Sequence, residues 1–571
     1  MPPIVSYSGS FRDFAAEVRD DINDVNKIRS RSVVRLSALL VASLVLLLPL
    51  LVRGVGLPLL VVFPVIVLGY VYYCYQNGEL AEGLICAFFV FSIFRANIPI
   101  LNPPGSGSLS LYIVDLLGVA VFILLLYDGC NADVRIRDSK LGLAALLGMA
   151  FFVLWSFVAA AVGIGPSRLA ATVFAIQQSR YLFLCILSAF VIVRTNLHVA
   201  LYPFSLSIIG NLWYAVGEAV LGHTLGLTYL GDADGAILSD FAVGPLTFTA
   251  GLYAGGFVGN GRELIALALL LLPCLVYLTV YSSRYLALGS VVCISAIQFL
   301  IRIGETDAGW MASILTMILT GGGFLLSSIM VKKKNVFQGT IWSLYGIGAS
   351  VVLYAKRFAG DPKQADESIE GTPETEIENG STTGSSSTNS SGSEAGNEVV
   401  SESQELLITV VKQVPGIELN TLGIRLQQYI AAFDLGLLHP LFGIGGYNFS
   451  LIATRYGLPS EMEIHNMLLS HLAATGIVGL SAYLVSILSV FMIAVRRTYR
   501  THGEEHHLWM CLMISLIAIH AYGFWVVMQR FTMGNAGLWI LSGMIIGSEY
   551  ITSVESRTYS DSDITNEEPG N

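Results

Sequence analysis

The chain has 571 residues, 54% hydrophobic and 13% charged, with a mean hydropathy of +0.67 and a net charge of -10. Soluble domains carry about 25% charged residues, so this composition excludes a water-soluble fold that hides its apolar side chains in one core. The absence of a basic stripe with interleaved aromatics argues against nucleic acid as a partner.

An apolar slab about 30 Å thick requires helical runs of roughly 20 apolar residues, because only a helix pairs its own backbone polar groups there. In chain order, residues 1–32 are mostly polar and read as a cytoplasmic arm, a surface helix or a disordered segment, with nothing that resembles a cleaved signal peptide. Spans are then expected near 33–52, 54–75, 80–94, 109–127, 141–163, 171–193, 197–220, 264–281, 285–303, 308–330 and 338–355. The stretch 356–465 follows as one large loop, and spans near 466–494, 508–527 and 532–549 precede an acidic tail over 550–571. The expected fold class is therefore all-α, a polytopic transmembrane helical bundle of about fourteen spans.

Short loops rich in Lys and Arg stay in the cytoplasm. With the N-terminus inside, every basic cluster falls on one side: Arg12 to Arg35, then Arg135, Arg137 and Lys140, then Arg194, Arg284, Lys332 to Lys334, and Arg496, Arg497 and Arg500. Both termini are thus expected inside and 356–465 outside. The seven cysteines lie in spans or on the inner side, so no disulfide or zinc framework is implied. Only eight of the basic residues are Lys. Acidic, lysine-poor loops suit a high-salt environment, although an ordinary acidic linker and tail explain the same charge.

Within the large loop, 361–405 is dense in Ser, Thr, Gly and Glu and has no aromatic residue, a composition that predicts disorder. Asn379-Gly-Ser, Asn389-Ser-Ser and Asn448-Phe-Ser fit the short acceptor pattern for N-glycosylation, and unmodified Asn is an equal expectation in a Ser-rich loop. The segment 421–438 is helical in pattern, with Leu422, Leu426, Tyr429, Ile430, Phe433 and Leu437 on one face, as for an interfacial or loop-packing helix. Arg425 flanks this stripe, where a guanidinium can meet a lipid phosphate. His439-Pro440 ends the helix, His439 being expected to bond locally there, and Gly443, Gly445 and Gly446 allow a tight, shaped turn. Glu461 and Glu463, read chiefly as solvated loop acids, precede His465-Asn466 at the mouth of the next span. A histidine there can take a proton.

Taken together, Arg425, His439-Pro-Leu-Phe-Gly-Ile-Gly-Gly-Tyr-Asn-Phe449, His465-Asn466 and Gly476-Ile-Val-Gly-Leu480 resemble, in order, the O-antigen ligase and O-antigen polymerase family. A looser likeness covers Gly255 to Pro273. The resemblance implies a membrane enzyme that moves a glycan from a polyprenyl or dolichyl phosphate or diphosphate carrier to a glycan, lipid or protein acceptor on the outer face of the cell membrane. It implies no cofactor and no metal. Arg425 would bind the carrier phosphate, His465 would be the essential histidine, and Asn466, Gly443, Gly445 and Gly446 would shape the substrate site. Where the family carries a further arginine opening an earlier span, this chain has Asp307, so Arg302 or Arg262 is expected to supply that charge. Intramembrane Arg180 should line the carrier groove or pair with a residue such as Glu218. A transporter or flippase of lipid-linked glycans and a noncatalytic scaffold are the competing classes. The lack of an internal repeat and the gathering of polar residues at one face favour the transferase.

Because 361–405 cannot build a packed site, deleting most of it is expected to leave membrane insertion and activity intact. Deletion variants that insert normally yet lose all activity would show that the tract holds something essential.

Overall fold

The computed structural model describes residues 35–36, 39–40, 69–95, 97–101, 109–127, 139–221, 237–243, 246–252, 258, 260–304, 307–331, 334–358, 419–460, 462–526, 528 and 531–564. The N-terminal arm, most of the first two expected spans, the 361–405 tract with its two acceptor motifs, Glu461 and the end of the tail lie outside the described residues.

The described helices are α1 (Leu80–Phe91), α2 (Ile113–Tyr127), α3 (Lys140–Val162), α4 (Arg168–Arg194), α5 (Leu197–Leu221), α6 (Gly261–Tyr281), α7 (Arg284–Ile303), α8 (Asp307–Val331), α9 (Lys334–Phe358), α10 (Leu419–Leu438), α11 (Phe449–Ile452), α12 (Met467–Arg500), α13 (Gly503–Gly523) and α14 (Thr532–Ile564). Among the described residues, nine of them, α3 to α9 with α12 and α13, are long and apolar enough to cross a membrane. The class is thus an all-α, membrane-type bundle, and the full count of fourteen spans is not reached within the described chain. Polar caps mark where several helices start: the side chains of Ser139, Ser167, Asn260 and Asn466 accept from the first free N–H groups of α3, α4, α6 and α12.

Two hairpins depart from the expected pattern. Strand β1 (Asn97–Leu101) pairs antiparallel with β2 (Leu109–Tyr112), so the stretch expected as a span from 109 opens as a strand and turns helical at Ile113. Strand β3 (Ile237–Val243) pairs with β4 (Leu246–Leu252) between α5 and α6. Near-alternating Leu246-Thr-Phe-Thr after Gly244-Pro245 carries the strand signal of that second hairpin.

Small residues set the closest helix contact. A Cβ added at Gly543 or Gly547 of α14 would fall 2.2 Å or 2.5 Å from the carbonyl oxygens of Cys185 and Ala189 on α4. A Gly-x-x-x-Gly pair thereby lets the two backbones touch, the packing that substitutes for the hydrophobic drive missing between helices in lipid. At one end of the bundle the Tyr277 hydroxyl donates to Glu504 at 2.7 Å, and Glu549 holds Arg496 and Arg497 at 3.1 and 3.6 Å. Arg194, Arg284 and Arg500 finish or open helices at this same end, which gathers these basic clusters as the sequence pattern requires.

Arg180, in the middle of α4, is paired differently from the expectation. Its Nε lies 2.8 Å from the Asp115 carboxylate, and its guanidinium stacks 3.9 Å over the Tyr112 ring. Asp115 also accepts the Tyr112 backbone N–H at 2.9 Å. The partner is therefore Asp115 rather than Glu218, which is buried on α5. The hairpin explains this: β2 delivers Tyr112 and the first turn of α2 against α4. Removing one member of a largely buried pair leaves an uncompensated charge, so Asp115→Ala is expected to cost about 3–5 kcal/mol. The paired replacement Asp115→Leu with Arg180→Met should recover most of the melting temperature measured in detergent, and equal loss in single and paired variants would refute the pairing.

Candidate functional site

The site is assembled where α12 breaks. Gly476 has φ +67° inside the helix, a conformation that L side chains avoid, and its added Cβ would lie 2.5 Å from the Pro440 carbonyl oxygen. The break strands main-chain groups that a continuous helix would pair, and the glycine loop takes them up. Ile444 and Gly445 donate their N–H groups to the Ala473 and Ala474 carbonyls at 2.9 Å each, and Ile477 donates to Pro440 at 2.7 Å. The Trp155 indole N–H bridges the Leu441 and Thr475 carbonyls at 3.0 and 3.1 Å, tying α3 to the same junction.

This geometry accounts for the three glycines. Gly443 (φ +63°) and Gly445 (φ +80°) need left-handed backbone, and a Cβ at Gly446 would sit 2.1 Å from the Phe174 ring. The Gly443 N–H goes to the His439 carbonyl and that of Gly445 to Ala474. Two of the three glycine N–H groups are thus engaged by the chain itself, and close packing explains why the residues are glycines. His439 closes α10 through its backbone, accepting from Gly443 and donating to Leu435 at 2.9 Å each.

At Asn448 the structure favours the unmodified reading of the acceptor motif. Its side-chain oxygen accepts the Ser167 N–H at 2.9 Å, its amide donates to the Ile444 carbonyl at 2.8 Å, and the residue is buried. A glycan has no access to that nitrogen, so Asn448-Phe-Ser is an internal clamp between the loop and the start of α4. Tyr447 adds a second clamp, its hydroxyl donating to Gln177 on α4.

His465 stands beside this junction, half-buried. Its Nδ1 is 3.0 Å from the Gln428 side-chain oxygen and 3.1 Å from the Glu463 carbonyl, and its backbone N–H donates to the same Gln428 oxygen at 3.2 Å. The backbone donor fixes which end of the Gln428 amide faces the histidine. With two acceptors at Nδ1, the proton is assigned there and the lone pair to Nε2. The Tyr429 hydroxyl donates to the His465 carbonyl at 3.1 Å. Burial pushes the Tyr429 phenol above its ordinary value, against the pull of the nearby Arg425 cation, so it remains a donor at neutral pH.

Asn466 caps α12 by accepting the Leu469 N–H at 3.0 Å and donates to the Phe524 carbonyl at 3.2 Å. Both ends of its amide are engaged within the protein, which makes it the post that holds His465 between α10 and the α13–α14 connection. Arg425 lies one helical turn before Gln428 and Tyr429, on the face of α10 turned toward His465, and is partly exposed. Among the described residues it forms no ion pair. The buried face of α10 is Gln428, Ala431, Ala432 and Leu435, packed on Ile444, Phe449 and Ile464. Phe433 and Leu437 of the expected stripe are 54% and 65% exposed, which leaves them for the membrane interface while the opposite side packs on the loop. Glu463, expected chiefly as a solvated acid, is buried.

Of the two arginines weighed as replacements at Asp307, Arg262 is tied through its backbone to the end of α13. It opens α6, and its carbonyl accepts the Tyr522 hydroxyl at 3.1 Å, two residues before Phe524. Arg302 ends α7, which packs on α5, α6, α8 and α9. Asp307 opens α8 and is exposed. Arg180 sits on α4, one turn beyond the Gln177 that Tyr447 contacts, with its pair Asp115. Sequence reading passed over Gln428, whose signal was a polar residue three positions after Arg425 in an otherwise apolar helix.

Compared with known proteins, the sequence matches no family model and no curated protein.

Gly476→Ala forces a left-handed conformation that costs an L residue about 1–2 kcal/mol and adds the clash with Pro440. It is expected to lower the melting temperature and expose the 440–448 loop to protease. Gly348→Ala, at a helical position with nothing within 4 Å of the new Cβ, should change neither. Equal behaviour of the two variants would show that the break does not hold the loop.

Proposed function

We propose that the protein is a membrane glycan transferase that uses a lipid-linked donor, working at the bundle end that carries His465. The observation that supports this best is that one helix carries both the Arg425 cation and, one turn on, the Gln428 that orients His465. In this reading the acceptor hydroxyl approaches Nε2 of His465, which takes its proton as the oxygen attacks the anomeric carbon of the donor. The bond from that carbon to the carrier phosphate breaks on the opposite side, and the electron pair leaves with the phosphate. The configuration inverts, and no sugar–enzyme intermediate forms. Arg425 neutralises the charge that grows on the departing phosphate, since its planar fork matches phosphate oxygens, and Arg262, whose backbone meets the end of α13, is the candidate for a second cation.

In this reading the site faces the outside of the cell membrane, with both termini and the basic loops in the cytoplasm, as the distribution of Lys and Arg in the sequence favours. Donors reach it through the lipid, and the exposed Phe433 and Leu437 of α10 lie at that boundary. The likeness of Arg425, the glycine loop and His465-Asn466 to the O-antigen ligase and polymerase pattern favours the same class.

The test uses the full chain in lipid nanodiscs, given polyprenyl monophosphate and diphosphate oligosaccharides and candidate glycan acceptors. His465→Ala is expected to lower the transfer rate by about 10² to 10⁴. Arg425→Lys should be impaired despite keeping its charge, because an ammonium cannot reproduce the bidentate fork. Near-normal transfer by both His465→Ala and Arg425→Ala, at normal membrane levels, would remove the assignment.

A further inference from the structure

We infer that Gln428 is the positioning residue that sets the tautomer of His465, and that it does so as a neutral amide by design of the site. The inference rests on the reading of His465 as the proton acceptor, but its main test does not.

A histidine at a loop mouth has two nitrogens that can exchange roles, and only one of them can face an acceptor hydroxyl. Here the choice is made by a side chain with no rotational freedom. Gln428 is fully buried, and its carbonyl oxygen receives the His465 backbone N–H at 3.2 Å. Turning the amide over would bring its NH2 against that backbone donor. The oxygen therefore stays toward the histidine, and Nδ1 at 3.0 Å must be the donor to it. The Glu463 carbonyl at 3.1 Å is a second acceptor on the same nitrogen and reinforces the same tautomer.

The Gln428 Nε2 is itself buried with no partner among the described residues, an arrangement retained although a smaller apolar side chain would avoid it. That orphan donor is the mark of a group kept for its oxygen. Among the described residues, the titratable groups near His465 include Tyr429, whose hydroxyl meets the His465 carbonyl, Arg425, which acts on Tyr429 from the same helix, and Glu463 of its own segment. From the α13–α14 connection the described contact to this segment is the Phe524 carbonyl. Gln428 meets both the ring and the backbone of the histidine.

A neutral acceptor has a consequence that a carboxylate would not. It fixes the proton on Nδ1 without drawing a second proton onto the ring, so Nε2 keeps its lone pair to lower pH. The substitution Gln428→Glu preserves the acceptor and the backbone bond but places a negative charge against Nδ1. It should raise the His465 pKa and move the acid limb of the rate profile upward by about one pH unit or more. Gln428→Met removes the acceptor while keeping the volume. It should lower kcat by about 10- to 100-fold, the range for groups that orient a histidine, and change KM for the donor little.

The direct readout is the nitrogen NMR spectrum of the full chain labelled at its nine histidines, with His465 assigned by its loss in His465→Gln. The wild type is expected to show His465 protonated at Nδ1, Gln428→Met a mixture of tautomers, and Gln428→Glu the imidazolium persisting to higher pH. A wild-type His465 protonated at Nε2, or a tautomer and titration unchanged in both variants, would overturn the inference. If the spectra behave as expected while His465→Ala still transfers glycan, the positioning role stands and the proposed function fails. If His465→Ala is inactive and the spectra do not respond, the reverse holds.

Discussion

Everything at the candidate site depends on one interruption. A helix in an apolar setting must pair its own backbone groups, and α12 fails to do so at Gly476, where the chain turns left-handed. The groups it releases at Ala473, Ala474 and Ile477 are paired by the main chain of Pro440, Ile444 and Gly445. The break and the loop thus pair each other's main-chain groups, with Trp155 and Asn448 side chains completing the set. A loop joined by main-chain bonds to a membrane-spanning helix is fixed to the bundle as firmly as a strand is fixed to a sheet.

From that junction the site is built outward by side chains of modest chemistry. Trp155 pins α3 to the junction, Asn448 and Tyr447 clamp the loop to α4, and Asn466 ties the mouth of α12 to the α13–α14 connection. None of these groups carries charge. The ionisable residues, Arg425, Glu463 and His465, come from the two segments that lie over this frame. Neutral clamps thus hold the frame on which the ionisable groups are carried.

The sequence made the bundle legible because long apolar runs have few alternatives in composition or length, and it made α10, the glycine turn and His465 legible because their order resembles a known pattern. It did not reveal why the glycines are there. Pattern reading treats Gly443, Gly445 and Gly446 as approach points for a ligand, whereas their positions are dictated by Ala473, Ala474 and Phe174, more than 20 residues away in either direction. Asn448 left two readings open for the same reason: an acceptor motif is local, and the contact that closes it comes from Ser167. Arg180 was recognised as needing a partner, but the partner depends on the β1–β2 hairpin, whose strands are short and sit at the edge of an apolar run. In each case the missing information was a contact distant in sequence, which periodicity does not carry.

The central claim is that this outer rim transfers sugar rather than admitting a lipid to the other leaflet. It is tested most directly by giving the purified chain, in sealed vesicles, a polyprenyl-diphosphate oligosaccharide with an isotopic label at the anomeric carbon, together with a glycan acceptor outside. The account predicts a lengthened acceptor whose new linkage has the anomeric configuration opposite to that of the donor, with polyprenyl diphosphate released in equal amount. Movement of the labelled lipid between leaflets with no new glycosidic bond, or a product that retains the donor's configuration, would contradict it.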